Sequence, residues 1–182
     1  MNNSYKGKLL ISTPDASGDI FSRSVVLLLE HDMHGAFGLI LNKKNKLMSD
    51  KLNEIFGFEV EVYDGGPVER DRIFFIIKGK PVTENFSSIG DDFYVTEDIQ
   101  KVVAAIVEGD LEVNQMKVFA GYSGWGGMQL ETEIKNKYWT VVDVYNLDYT
   151  FPNDKGLWRD IMQNLGGDFL IFANSPDDVT MN

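Results

Sequence analysis

The chain has 182 residues, 43% of them hydrophobic and 25% charged, with no cysteine and a formal net charge of −11. That length suits one domain and that composition excludes a disordered chain, while the missing cysteines exclude disulfides, thiolate zinc sites and cysteine nucleophiles. Acidity concentrates in residues 92–182, with 15 acidic against 6 basic side chains, so the clustered phosphate contacts that direct nucleic-acid binding needs have no ready source there.

Near the start, Lys6 and Lys8 precede only the short apolar run Leu9–Ile11, unlike a signal peptide. The longest strongly apolar run, Val25–Leu29, falls far short of the roughly 20 residues that span a bilayer. The expectation is a cytoplasmic protein with no membrane partner.

In chain order, Leu9–Ile11 reads as a strand, and Ser24–Glu30 as a strand buried on both faces because its apolar residues are continuous. His31–Gly35 reads as a turn and Ala36–Asn42 as the returning strand of a hairpin whose turn type is left open. Ser49-Asp50 could cap a short helix through Leu52, Ile55 and Phe56, ended by Gly57. Strands follow at Glu59–Val62, Ile73–Ile77 and Phe93–Val95.

Thr96 reads as the N-cap of the clearest helix, with Ile99, Val102, Val103, Ile106 and Val107 as one apolar stripe and Gly109 as its stop. Met116–Tyr122 is a strand broken by Ser123–Gly127, followed by a short helix over Met128–Lys135 and a strand over Tyr138–Val144. The last helix starts at Asn153 or Asp154 and turns Leu157, Trp158, Ile161, Met162 and Leu165 inward. The remainder, 167–182, reads as a partly mobile tail of a single domain covering 1–182. Strands outnumber helices and come partly in adjacent pairs, which favours α+β.

The familiar catalytic signatures are absent. Gly121-Tyr122-Ser123-Gly124-Trp125 misses the nucleophile elbow because tryptophan stands at its last position. Gln129 stands where a dinucleotide fingerprint needs its third glycine. The two histidines, His31 and His34, share one turn and are too few to make a metal centre, so neither metal nor cofactor is expected. Two glycine-rich turns remain, 64–67 and 121–127, serving either tight chain geometry or a ligand. Trp125 between glycines is either a core plug or a partner anchor, and the core plug is the favoured reading. Glu131 and Glu133, two apart on a helix, point in different directions and make no acid–base pair.

These stretches carry a family resemblance. Gly7–Ile11, Phe21–His31, Gly35–Asn42, Gly65–Val68 and Gly121–Glu131, together and in order, resemble the YqgE/AlgH family from Gly7 to about Gly166. The resemblance implies a bent, mostly antiparallel, branching sheet closing into a pseudo-barrel, with three to four short helices around it. The family is largely uncharacterised, and its label of transcriptional regulator rests on genetic association. The chain departs from the pattern where Leu29 replaces a cysteine common among relatives and where Ile20, in place of proline, follows Asp19. The first departure removes a thiol-based role.

The expected function is a non-enzymatic binding or regulatory protein acting through a protein partner or small ligand, with no direct nucleic-acid contact. The alternative is an enzyme, such as a hydrolase, using polar residues around the glycine turns. No catalytic residue is assigned. The candidate ligand- or partner-binding residues are Arg23, His31, Asn42, Gly65, Gly66, Trp125, Gln129 and Glu131.

Overall fold

The computed structural model describes residues 3–13, 20–143, 146–154, 156–167 and 169–174. It has a mixed α+β fold built on nine strands: β1 (Leu9–Ser12), β2 (Val25–Asp32), β3 (Gly35–Ile40), β4 (Val62–Asp64), β5 (Val68–Lys78), β6 (Ser87–Ile89), β7 (Phe93–Thr96), β8 (Met116–Gly126) and β9 (Trp139–Val142). Five helices accompany them: α1 (Lys46–Phe56), α2 (Ile99–Glu108), α3 (Gln129–Lys135), α4 (Gly156–Leu165) and α5 (Phe169–Ala173). The sheet runs β6-β7-β5-β8-β3-β2-β1-β9, with β4 added parallel to β8 and every other pairing antiparallel.

Strand β8 creates the branch. Its first half pairs with β5 on one edge, from Ile77↔Met116 to Ile73↔Ala120, and with β4 on the other. Its second half pairs with β3, from Gly38↔Ser123 to Gly35↔Gly126. The sheet therefore curls into a half-barrel with two branches.

Period-two alternation sorts the strand side chains into three cores. Val25, Leu27 and Leu29 join Phe74, Ile76, Phe119 and the α4 residues Trp158, Ile161 and Met162 inside the half-barrel. Phe75, Ile77 and Val118 point outward under α1 and α2, against Leu52, Val102 and Ala105. Val26, Leu28 and Ile40 point outward on the other branch, against Trp125, Leu130 and Trp139 beneath α3. Strand β2 is apolar throughout because each of its faces meets a different core.

Several boundaries differ from the sequence reading. The hairpin turn is only Met33-His34, since Asp32 pairs with Gly35. Asn45, not Ser49 or Asp50, caps α1 by accepting from Met48 N–H, and Asp98, not Thr96, caps α2. Ala105 is buried in α2 whereas Val107 is 77% exposed, so the apolar stripe is narrower than five residues. The strand expected at 59–62 forms at Val62–Asp64, where β8 offers hydrogen-bond partners. Part of the expected tail is helix α5, with Ala173 buried in the inner core; residues 175–182 lie outside the described ones.

The largest correction concerns the second glycine turn. Residues 121–126 are not a turn but the continuation of β8, held by its pairing to β3.

Candidate functional site

Gly65 and Gly66 mark the branch point. Gly65 N–H donates to Ala120 O at 2.9 Å, and Gly65 O accepts from Ile40 N–H at 2.9 Å and from the Ser123 hydroxyl at 3.1 Å. A Cβ on Gly65 would lie 2.3 Å from Gly121 O, and one on Gly66 would lie 2.1 Å from the Tyr122 carbonyl carbon. These glycines let two backbones cross at contact distance. Ser123 is fully buried in the same crossing.

Arg23 and Asn42 meet at the start of β2. Asn42 Oδ1 accepts from Val25 N–H at 3.0 Å, and its Nδ2 donates to Arg23 O at 2.9 Å. The Arg23 guanidinium lies 5.0 Å from the Trp158 ring centroid. Asn42 satisfies buried backbone groups where β2 begins and β3 ends.

The other four candidates gather around α3. Tyr5 N–H donates to His31 Nδ1 at 2.9 Å, so the imidazole carries its hydrogen on Nε2 and donates to Glu131 at 2.6 Å. Burial opposes ionisation of Glu131, but the His31 hydrogen bond and its own backbone N–H outweigh that and hold its carboxyl below the ordinary value. Trp125 is 7% exposed and packs edge-on to Trp139, and both indoles donate to Glu133 Oε2 at 2.8 Å. Gln129 Oε1 accepts from Gly126 N–H at 2.9 Å, and Gln129 Nε2 donates to Glu133 at 3.1 Å. Glu131 and Glu133 do face different partners, and this polar cluster is internally paired. Trp125 is the core plug. Among the described residues no group of three or more histidine or acidic side chains converges as a metal site would require.

An open concavity lies elsewhere, beside the inner core at Leu29. Strand β2 skips register between Leu28 and Glu30, which pair with Gly38 and Phe37, leaving Leu29 without a cross-strand partner. A bulge of this kind re-aims a side chain. Leu29 lines a cleft of about 350 Å³ together with Lys6, Glu30, Arg72, Phe86 and the contacting rings of Phe37, Phe74 and Tyr122. Past Lys6 and Leu29 it continues into a hollow of about 520 Å³ lined by Phe93, Leu147 and Tyr149. The Arg72 guanidinium lies 5.1 Å from the Phe74 centroid and 5.6 Å from that of Tyr122, and ion pairs with Glu69 and Glu97 hold it in place.

None of the eight sequence candidates lines this cleft. A bulge leaves no mark in an unbroken apolar run such as Val25–Leu29. The sequence reading also passed over Lys117, which is 3% exposed on β8. Its signal was present: alternation puts Lys117 on the same inward face as Phe119.

The comparisons with known proteins agree with this architecture. The AlgH-like family model matches residues 9–170. The UPF0301 protein of Cytophaga hutchinsonii is 38% identical over 97% of this chain and 98% of its own length. That of Parabacteroides distasonis is 34% identical over 97% and 91%. The solution structure of the AlgH protein from Pseudomonas aeruginosa superposes with a TM-score of 0.72 at 23% identity, covering 98% of each chain. A Corynebacterium diphtheriae crystal structure gives the same TM-score at 20% identity, covering 96% of this chain and 94% of its own. At those identities the two structures speak for the branched fold, the relatives speak for the sequence, and together with the family match they make this chain a member of the AlgH-like family.

Proposed function

We propose that the protein is a non-enzymatic binding protein whose ligand is a small amphipathic organic molecule held in the cleft at Leu29. The carrying observation is the β2 bulge, whose residue Leu29 lines a space of about 350 Å³ beside the aromatic cluster of Phe37, Phe74 and Tyr122. Volumes of 300–1,000 Å³ are those of ordinary ligand sites. Arg72, fixed over Phe74 and Tyr122, offers a directed donor at one wall, and Lys6 offers a second cation.

Several observations favour this reading over a hydrolase. Ser123 is buried and bonded to Gly65 O, and His31 has both ring nitrogens engaged, Nδ1 by Tyr5 N–H and Nε2 by Glu131, which leaves neither nitrogen to serve Ser123 as a base. Leucine at the bulge is chemically inert and can only shape the space. The net charge of −11 favours a ligand or protein partner over nucleic acid as the route to any regulatory role.

The test is a thermal-shift screen of small aromatic and aliphatic acids, run on wild type and on Leu29→Trp, which fills the cleft. A compound that raises the wild-type melting temperature and leaves Leu29→Trp unmoved is the expected result. A shift that survives in the variant, or a screen without any shift, would remove the cleft from consideration.

A further inference from the structure

The geometry points to Lys117 as a covalent capture site for a small uncharged aldehyde or ketone, held as an imine beside Tyr63. This site is separate from the cleft and shares no lining residue with it. It stands or falls independently of the reading above.

Lys117 Nζ donates to Leu41 O at 2.5 Å and to Phe151 O at 3.0 Å. A neutral amine has two N–H bonds and one lone pair, so these two acceptors satisfy the unprotonated form and leave the lone pair available. Among the described residues no carboxylate pairs with it. The charges that face it from a distance are Glu61 and Asp148, which favour the ammonium, and Lys44, which opposes it. Burial is the strongest influence and brings the amine down to about 7 from its ordinary 10.5.

A cavity of about 190 Å³ has Lys117 in its wall, together with Glu61, Tyr63, Asn114, Thr150 and Pro152. The Tyr63 ring centroid is 4.0 Å from Nζ. Its hydroxyl is buried without a hydrogen-bond partner, as is Asn153 Nδ2. Asn153 belongs to the same corner, because its N–H donates to the Phe151 carbonyl that Nζ also uses. Burial, together with Glu61 and Asp154, pushes the Tyr63 phenol well above its usual range, so it remains a donor. Unpaired buried polar groups are costly, and a ligand oxygen offers the partner they lack. The cavity volume admits a molecule of about benzene size or smaller, and Glu61 on its wall disfavours keto acids.

The chemistry needs no oxidant or reductant. The Nζ lone pair attacks the carbonyl carbon, and the C=O π pair moves to oxygen, which takes a proton to give a carbinolamine. Loss of water then forms the C=N bond, both amine hydrogens leaving with the carbonyl oxygen.

The experiment treats the full chain with propanal and sodium cyanoborohydride near neutral pH, where the hydride traps any imine as a secondary amine, and maps the modified peptides by mass spectrometry. From the two amine values above, Lys117 has roughly a thousandfold larger free-amine fraction at pH 7 than an exposed lysine. Lys117 should therefore be the first and most fully modified lysine, and its labelling should level off above pH about 7 while the exposed lysines continue to rise. Tyr63→Phe, which keeps the ring, should slow labelling at Lys117 severalfold. Modification led by exposed lysines, or none at Lys117, overturns the proposal, and the wild-type map decides this whether or not a variant folds.

Discussion

Glu133 Oε2 takes both indole N–H groups of the α3 cluster, and Glu133 Oε1 takes the Gln129 amide. Trp125 thereby has an apolar body packed on Trp139, Leu130 and Phe21 and a polar edge that is satisfied. Removing it leaves a large cavity and takes from the half-buried Glu133 Oε2 one of its two indole donors. Trp125→Ala should cost about 3–5 kcal/mol in urea unfolding, the usual loss for a buried tryptophan. Gln129, although exposed, ties α3 to the end of β8 through Gly126 N–H, so Gln129→Ala should cost about 0.5–1.5 kcal/mol. A Trp125→Ala protein that unfolds like wild type would move this tryptophan from the core to an interface.

The glycines acquire their meaning at the level of elements. Glycine-rich stretches in a sequence read alike whether they bend a chain or let two segments touch. Here Gly57 does the first, ending α1 at φ 74° with open space where a Cβ would sit. Gly65 does the second, with Gly121 O only 2.3 Å from its would-be Cβ. Gly57→Ala should cost about 1–2 kcal/mol, the penalty for a left-handed L-residue. Gly65→Ala must push β8 away from the β4 crossing and should cost about 3 kcal/mol or more, the top of the overpacking range, or yield insoluble protein. Melting temperatures of the two variants side by side check the ordering, and equal losses would contradict the crossing as described.

For the whole molecule, β8 is the element that couples the parts. It pairs with β3 in one branch and with β4 and β5 in the other, and all three cores draw on its side chains. Neither branch keeps its sheet if β8 leaves. Unfolding should therefore be a single transition, with tryptophan fluorescence, reporting Trp125, Trp139 and Trp158, coinciding with far-ultraviolet circular dichroism across the denaturant range. Two separated transitions would mean that the branches are independent units.

The sequence by itself determined the alternation that builds the strands, the helix stops at Gly57, Gly109 and Gly166, and the inward turn of Trp158, Ile161 and Met162 on α4, because these depend on neighbours along the chain; Leu165, expected on the same face, is 37% exposed. It also showed that Glu131 and Glu133 diverge, and it favoured the core for Trp125 without deciding it; the 7% exposure of that side chain in the fold did. Only the tertiary structure decided that residues 121–126 continue a strand, since that backbone finds its partners in β3, far away in sequence. It alone decided where the cleft and the Lys117 cavity lie. The cleft depends on a register skip and both depend on segments brought together from Lys6 to Pro152, and a local pattern carries no record of which distant strand will stand opposite.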